Sequence, residues 1–144
     1  MLVRFREDVI NLKPKAVVIL AGTNDIAENT GSYDPDFTFG NITSMVKLAQ
    51  ANNIKVVLAS VLPASAFRWR TSVQDVPNKI MQLNERLKNY AREQKLVYLD
   101  YHSALKNDQN GLSEDMAPDG VHPTPAAYKI MASLAQEALR KVLK

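Results

Sequence analysis

The chain of 144 residues contains no cysteine. Disulfides, thiolate nucleophiles and thiolate-ligated metals are therefore excluded, although the compartment stays open because exported proteins need not carry cysteine. There are only two histidines, His102 and His122. With scattered acids around them, they do not give the ligand spacing of a zinc site. Asp34 and Asp36 lack the remainder of a calcium loop. No apolar run approaches the roughly 20 residues that a membrane helix needs. The longest, from Ala16 to Gly22, is strand-sized. The opening MLVRFREDVI mixes acids with bases, unlike a secretory signal, which wants a basic start and an unbroken apolar stretch. The formal net charge is +3, and its basic residues are scattered apart from Arg68 and Arg70. A nucleic-acid binder would gather them into a stripe.

What is present is an ordinary globular composition, 46% hydrophobic and 23% charged, in a length suited to one domain over residues 1–144. No repeat, low-complexity tract or linker interrupts it. Val3, Phe5, Val9, Ile10 and Leu12 stand among charges as the end of an amphipathic helix, which Pro14 breaks. Residues 16–21 are apolar on both faces, as in a strand buried in a parallel sheet. Residues 22–37 are rich in turn formers and read as a long loop. Residues 38–52 return to helical spacing, with Ile42, Met45, Val46 and Ala49 on one face. A second buried strand spans 54–61. After a loop through Trp69, Asp75 is a plausible N-cap and Pro77 a first-turn residue for a helix over about 78–93. A third strand covers 96–100. A polar loop over 106–118 leads to a last helix starting at Thr124-Pro125, with its apolar stripe at Ala127, Met131, Leu134, Ala135, Ala138 and Val142. Met45, Met81 and Met131 sit at core spacing.

Alternating strands and helices imply a parallel sheet with right-handed crossovers. Ligands on such sheets bind beyond the C-terminal ends of the strands. Two motifs lie there: Gly22-Thr23-Asn24-Asp25 after the first strand, and Asp119-Gly120-Val121-His122-Pro123 before the last helix. Alone, the first is compatible with an ordinary turn and the second with a helix-capping turn. Together, in this order and on these elements, they resemble the third and fifth conserved blocks of the SGNH (GDSL-type) hydrolases. The resemblance covers essentially the whole chain, from that family's third block onward. It implies a three-layer α/β/α, flavodoxin-like fold and a serine esterase or acylhydrolase acting on acetyl or short acyl esters of carbohydrates, lipids or small alcohols, with no cofactor.

The residue types suit that chemistry. Acyl transfer needs a base to take a proton from a hydroxyl and an acid to return it. His122 can do both near neutral pH. Asp119, three residues earlier, can reach one ring nitrogen and fix the tautomer, and Gly120 lets the turn form. The Asn24 amide can donate to a developing oxyanion, whereas Asp25 reads as a turn anchor. Gly22 and Thr23 are expected at the substrate. The loop 64–70, with Arg68 and Trp69, reads either as a substrate wall or as a surface loop with one anchored tryptophan. His102 reads as structural or solvent-facing.

The family's nucleophile block and the glycine block after it have no counterpart: the sequence contains no Gly-Asp-Ser. Ser60, at the end of the second strand, is the nearest substitute by topology, but the family pattern places the nucleophile on a different strand; Ser113 lies in the loop before Asp119. The chain therefore reads as an N-terminally shortened domain, nearly inactive alone, whose first strand at 16–21 has an open edge that invites homo-oligomers, strand exchange or a complementing fragment. The alternative is a non-catalytic binding or assembly module on the same fold.

Overall fold

The computed structural model describes residues 1–144. A 3-10 turn, Leu2–Arg4, and a π-helical turn, Arg6–Ile10, precede strand β1, Ala16–Ile19. Then follow helices α1, Thr23–Ile26, and α2, Pro35–Ala51, strand β2, Lys55–Ala59, and helix α3, Val76–Glu93. Strand β3, Val97–Leu99, and helices α4, Tyr101–Leu105, and α5, Pro125–Val142, complete the chain. No helix is long and apolar enough to cross a membrane.

The three strands form a parallel sheet in the order β1-β2-β3, with Val17 opposite Val56 and Leu58 opposite Tyr98. Alternate side chains of β2 sort into two cores. Val56 and Leu58 pack with α2, α3 and the N-terminal turns through Ile42, Met45, Ile80, Leu83 and Phe5. Val57 and Ala59 pack with α4 and α5 through Leu105, Met131 and Ala138. Helices thus cover both faces, the α/β/α layering that a continuously apolar central strand demands. All of β2 after Lys55 is buried, whereas Ala16, Val17 and Val18 of β1 are only half-buried. The difference from a doubly flanked strand has a simple cause: β1 pairs with β2 alone, and its outer edge is open.

The region 22–37 is not one long loop. Its turn formers build α1, and α2 begins at Pro35 because the Asp34 carboxylate accepts hydrogen bonds of 2.9 Å from the backbone N–H groups of Asp36 and Phe37. Asp36 pairs with Arg86 at 2.8 Å. Asp75 stands at the expected N-cap of α3, with Pro77 in the first turn, but without the capping hydrogen bond. It adopts a left-handed φ of 58°, caps no backbone N–H, and its carboxylate accepts instead from the Asn78 side chain at 2.6 Å. Thr124 does cap α5, accepting from the Ala127 N–H at 3.5 Å, with Pro125 in the first turn. Met45 and Met131 are buried, while Met81 is half-buried on α3.

Candidate active site

The Gly22-Thr23-Asn24-Asp25 segment leaves the C-terminal end of β1 through a position that only glycine fills well. Gly22 has φ +122°, and a Cβ there would lie 2.9 Å from Leu83 Cδ2 and 3.0 Å from Val61 Cγ2. The chain is pressed against α3 and the end of β2, so β1 turns at once into α1. Ile26, fully buried, anchors that short helix. Asn24 is left exposed on the rim, with Asp25 half-buried behind it. Gly22, Thr23 and Asn24 line a cleft of ≈ 390 Å³ together with Leu2, Thr38 and Met45.

The Asp119–His122 turn is tied down by its own carboxylate. Asp119 Oδ1 accepts from the backbone N–H groups of Val121 and His122 at 2.9 and 2.8 Å, and Oδ2 lies 2.6 Å from His122 Nδ1. Gly120, at φ +83°, supplies the left-handed step that folds the carboxylate back over these groups. The Thr124 N–H donates to the Met116 carbonyl at 2.8 Å, and the Thr124 hydroxyl to the Asp115 carbonyl at 2.9 Å. The backbone hydrogen bond from His122, then its ring contact, then the Val121 N–H hold the Asp119 carboxyl well below the usual carboxylate range. An ionised carboxylate only accepts hydrogen bonds, so His122 Nδ1 carries a proton, and in the neutral ring the lone pair falls to Nε2. The side chain of His122 is 77% exposed, which leaves Nε2 open to a reacting group.

The loop after β2 joins these two segments. Asn84, buried on α3, clamps its start: Oδ1 accepts from the Val61 N–H at 2.7 Å and Nδ2 donates to the Val61 carbonyl at 3.0 Å. Phe67 is buried and its ring lies 5.3 Å from that of Trp69. The Arg68 guanidinium donates to the Pro118 carbonyl at 2.9 Å, immediately before Asp119. Trp69 stands with its ring centroid 6.1 Å from that of His122. Its indole Nε1 donates to Asn29 Oδ1 at 3.4 Å, and Asn29 Nδ2 donates to Asn24 Oδ1 at 2.9 Å. Asn24, Trp69, Asp119 and His122 thus form one connected rim at the C-terminal ends of the strands, where an open parallel sheet places its ligands. Arg68 is committed to a carbonyl, whereas nearly half the Trp69 surface is free, at 47% exposure.

His102 stays outside this rim. It is buried at the start of α4, its backbone N–H donates to Ser60 Oγ at 2.8 Å, and its Nε2 has no hydrogen-bond partner. Burial pushes its pKa below the ordinary histidine value, partly offset by Asp100. Ser60 is fully buried, with its hydroxyl engaged by that same N–H, so it presents no face to an ester. Asn29 is the rim residue that sequence reasoning passed over. It lies in a stretch of turn formers, and only the fold shows what its amide touches.

A family model for the GDSL-like lipase/acylhydrolase family matches residues 1–130. Among solved structures, a GDSL-like lipase from Bacteroides thetaiotaomicron is 52% identical, superposes with a TM-score of 0.94, and is matched over 97% of this chain and 69% of its own. A solved protein from Bacteroides fragilis is 55% identical with a TM-score of 0.96, over 99% of this chain and 69% of its own. The acetylxylan esterase of Xylanibacter ruminicola is 24% identical over 153 residues, which is 93% of this chain. This chain spans only 30% of the length of that esterase. With the site's geometry, the shared layering and this match over most of its length, the chain belongs to the GDSL-like lipase/acylhydrolase family.

Proposed function

We propose that this chain supplies the base, its orienting carboxylate and one oxyanion donor to a serine esterase site for acetyl or short acyl esters. The observation that carries the reading is the 2.6 Å contact between Asp119 Oδ2 and His122 Nδ1, made while Oδ1 is pinned by two backbone N–H groups. Such a carboxylate fixes the imidazole in one tautomer and stabilises its cation.

In the reaction, a serine hydroxyl attacks the ester carbonyl and its proton passes to His122 Nε2. Asn24 Nδ2 donates to the oxyanion of the tetrahedral intermediate, where one such donor is worth about 10²–10³ in rate. His122 returns the proton to the departing alcohol. Water then attacks the acyl-serine by the same route, releasing the acid and freeing the serine. Trp69 walls the His122 side of the site, with Arg68 holding that wall to the Asp119 turn, and Gly22 and Thr23 face the substrate on the other side. The similarity to an acetylxylan esterase favours acetyl groups on a carbohydrate alcohol.

On this reading the serine is supplied by a polypeptide segment outside this chain, which the lack of a Gly-Asp-Ser sequence and the burial of Ser60 support. The test is p-nitrophenyl acetate hydrolysis by the chain alone, and mixed with a Gly-Asp-Ser-bearing N-terminal segment of a close relative. Turnover that appears only on mixing, labels the added serine with a fluorophosphonate and disappears in His122→Ala supports the reading. Absence of turnover in every mixture that forms a complex sinks it and favours a binding module.

A further inference from the structure

The rim contains an ordered pair of amides whose direction is dictated by a group that cannot be reversed. An indole N–H only donates, so the Asn29 atom facing Trp69 Nε1 must be its carbonyl oxygen. The Asn29 NH₂ is then forced to the other side, where it meets the Asn24 side chain at 2.9 Å. A donor there requires an acceptor opposite, so Asn24 presents Oδ1 inward. Its own NH₂ is then not the group that faces Asn29, and Asn24 is exposed. The backbone reinforces the pairing, because the Asn29 N–H also donates to the Asn24 carbonyl at 3.1 Å. Every hydrogen bond in the series runs one way, from Trp69 to Asn29 to Asn24.

We infer that Asn29 is a positioning residue: its amide, oriented by the Trp69 indole, holds Asn24 with its NH₂ presented outward as a donor. An asparagine amide on an exposed rim can otherwise rotate, and half of its orientations would offer an acceptor to the oxyanion, the wrong sign of charge. Preorganisation of this donor is what makes it useful in the transition state. The same Trp69 ring lies 6.1 Å from the His122 ring, so one side chain sets the direction of the amide and borders the base. The purpose given to this relay rests on the esterase reading above, but the relay itself does not.

The test uses the ¹⁵N-labelled chain and needs no turnover. Asn29→Asp keeps an oxygen for the Trp69 indole but replaces the donor facing Asn24 with a second acceptor. Two acceptors repel, so Asn24 is expected to turn over and place its own NH₂ on the new carboxylate. Hydrogen exchange of the Asn24 side-chain NH₂ should then slow by about tenfold or more, as a bond to a charged acceptor requires. Trp69→Phe, which deletes the directing donor, should instead broaden or split the Asn24 NH₂ signals. Both results, with the wild-type thermal midpoint retained, support the relay. Unchanged Asn24 NH₂ exchange and line shape in both variants overturns it. Slowed exchange in Asn29→Asp alongside esterase assays that fail in every mixture would leave the relay standing and remove only the purpose assigned to it.

Discussion

The buried amide of Asn84 on α3 closes a two-bond clamp on Val61, donating to its carbonyl and accepting from its N–H at 3.0 and 2.7 Å. Val61 is also one of the two side chains against which Gly22 packs. A single contact point thus sets where β1 turns into the Asn24 segment and where the Trp69 loop departs from β2.

Replacing Asn84 with leucine preserves bulk but strands a buried N–H and a buried carbonyl. A loss of about 2–6 kcal/mol in folding stability is expected, since each of the two orphaned groups costs about 1–3 kcal/mol. Urea unfolding followed by Trp69 fluorescence measures it. A midpoint equal to that of the wild type would show that the clamp is dispensable.

The burial of His102 gives the fold a pH dependence of its own. Burial holds His102 below its ordinary pKa, so the folded chain refuses a proton that the unfolded chain accepts. Stability is therefore unaffected above about pH 7 and declines as pH falls below about 6.5, the ordinary histidine value, until the depressed folded value is reached. Asp100 and Lys106 act on this group in opposite directions. His102→Leu also removes the unpartnered Nε2 and should flatten the curve between pH 7 and 5. Urea midpoints across that range decide the matter, and an unflattened slope in the variant would contradict it.

Asp119 acts in a lower window. Its folded pKa is depressed, so its contribution is fully present above the ordinary carboxylate value of about 3.9 and is lost as pH falls through the lower folded value. Asp119→Asn should erase this acid-side dependence and, in the complemented enzyme, cut kcat by about 10⁴, because an amide can favour the wrong imidazole tautomer. A variant with wild-type turnover would remove Asp119 from the mechanism.

The layering and most helices are legible in the sequence, because the unbroken apolar runs at 16–21 and 56–59 and heptad-like stripes such as Ala127–Met131–Leu134 leave few alternatives. Thr124-Pro125 announced its helix through a cap that works by local chemistry alone. Asp75-Val76-Pro77 marks the start of its helix in the same way, but the capping bond is absent, since the backbone at Asp75 turns left-handed and Asn78 takes its carboxylate. α1 was hidden because four residues of Thr-Asn-Asp-Ile have no helical preference; Gly22 and the buried Ile26 impose the turn through tertiary packing. At the site, the Asp119 to His122 contact was readable from spacing, since three residues of separation suffice for it. Arg68 to Pro118 and Trp69 to Asn29 span 50 and 40 residues, and no local pattern encodes them.

The open edge of β1 makes a prediction of its own. Val17, Val18 and Ile19 border an apolar groove of ≈ 120 Å³ beneath Phe5 and Val9, beside unpaired backbone groups. Such an edge recruits another strand. Sedimentation velocity should show mass rising with concentration, and addition of the serine-bearing segment should suppress that association. A monomer at every concentration would contradict the argument.

The proposed chemistry depends on where one imidazole holds its proton. Two-bond ¹H–¹⁵N correlation spectra of the labelled chain near pH 8 report directly which His122 nitrogen holds the proton. The expected result is protonated Nδ1, a far-downfield proton shared with Asp119, and a bare Nε2, all lost in Asp119→Ala. A His122 signal from the Nε2–H tautomer, unchanged by that substitution, would contradict it.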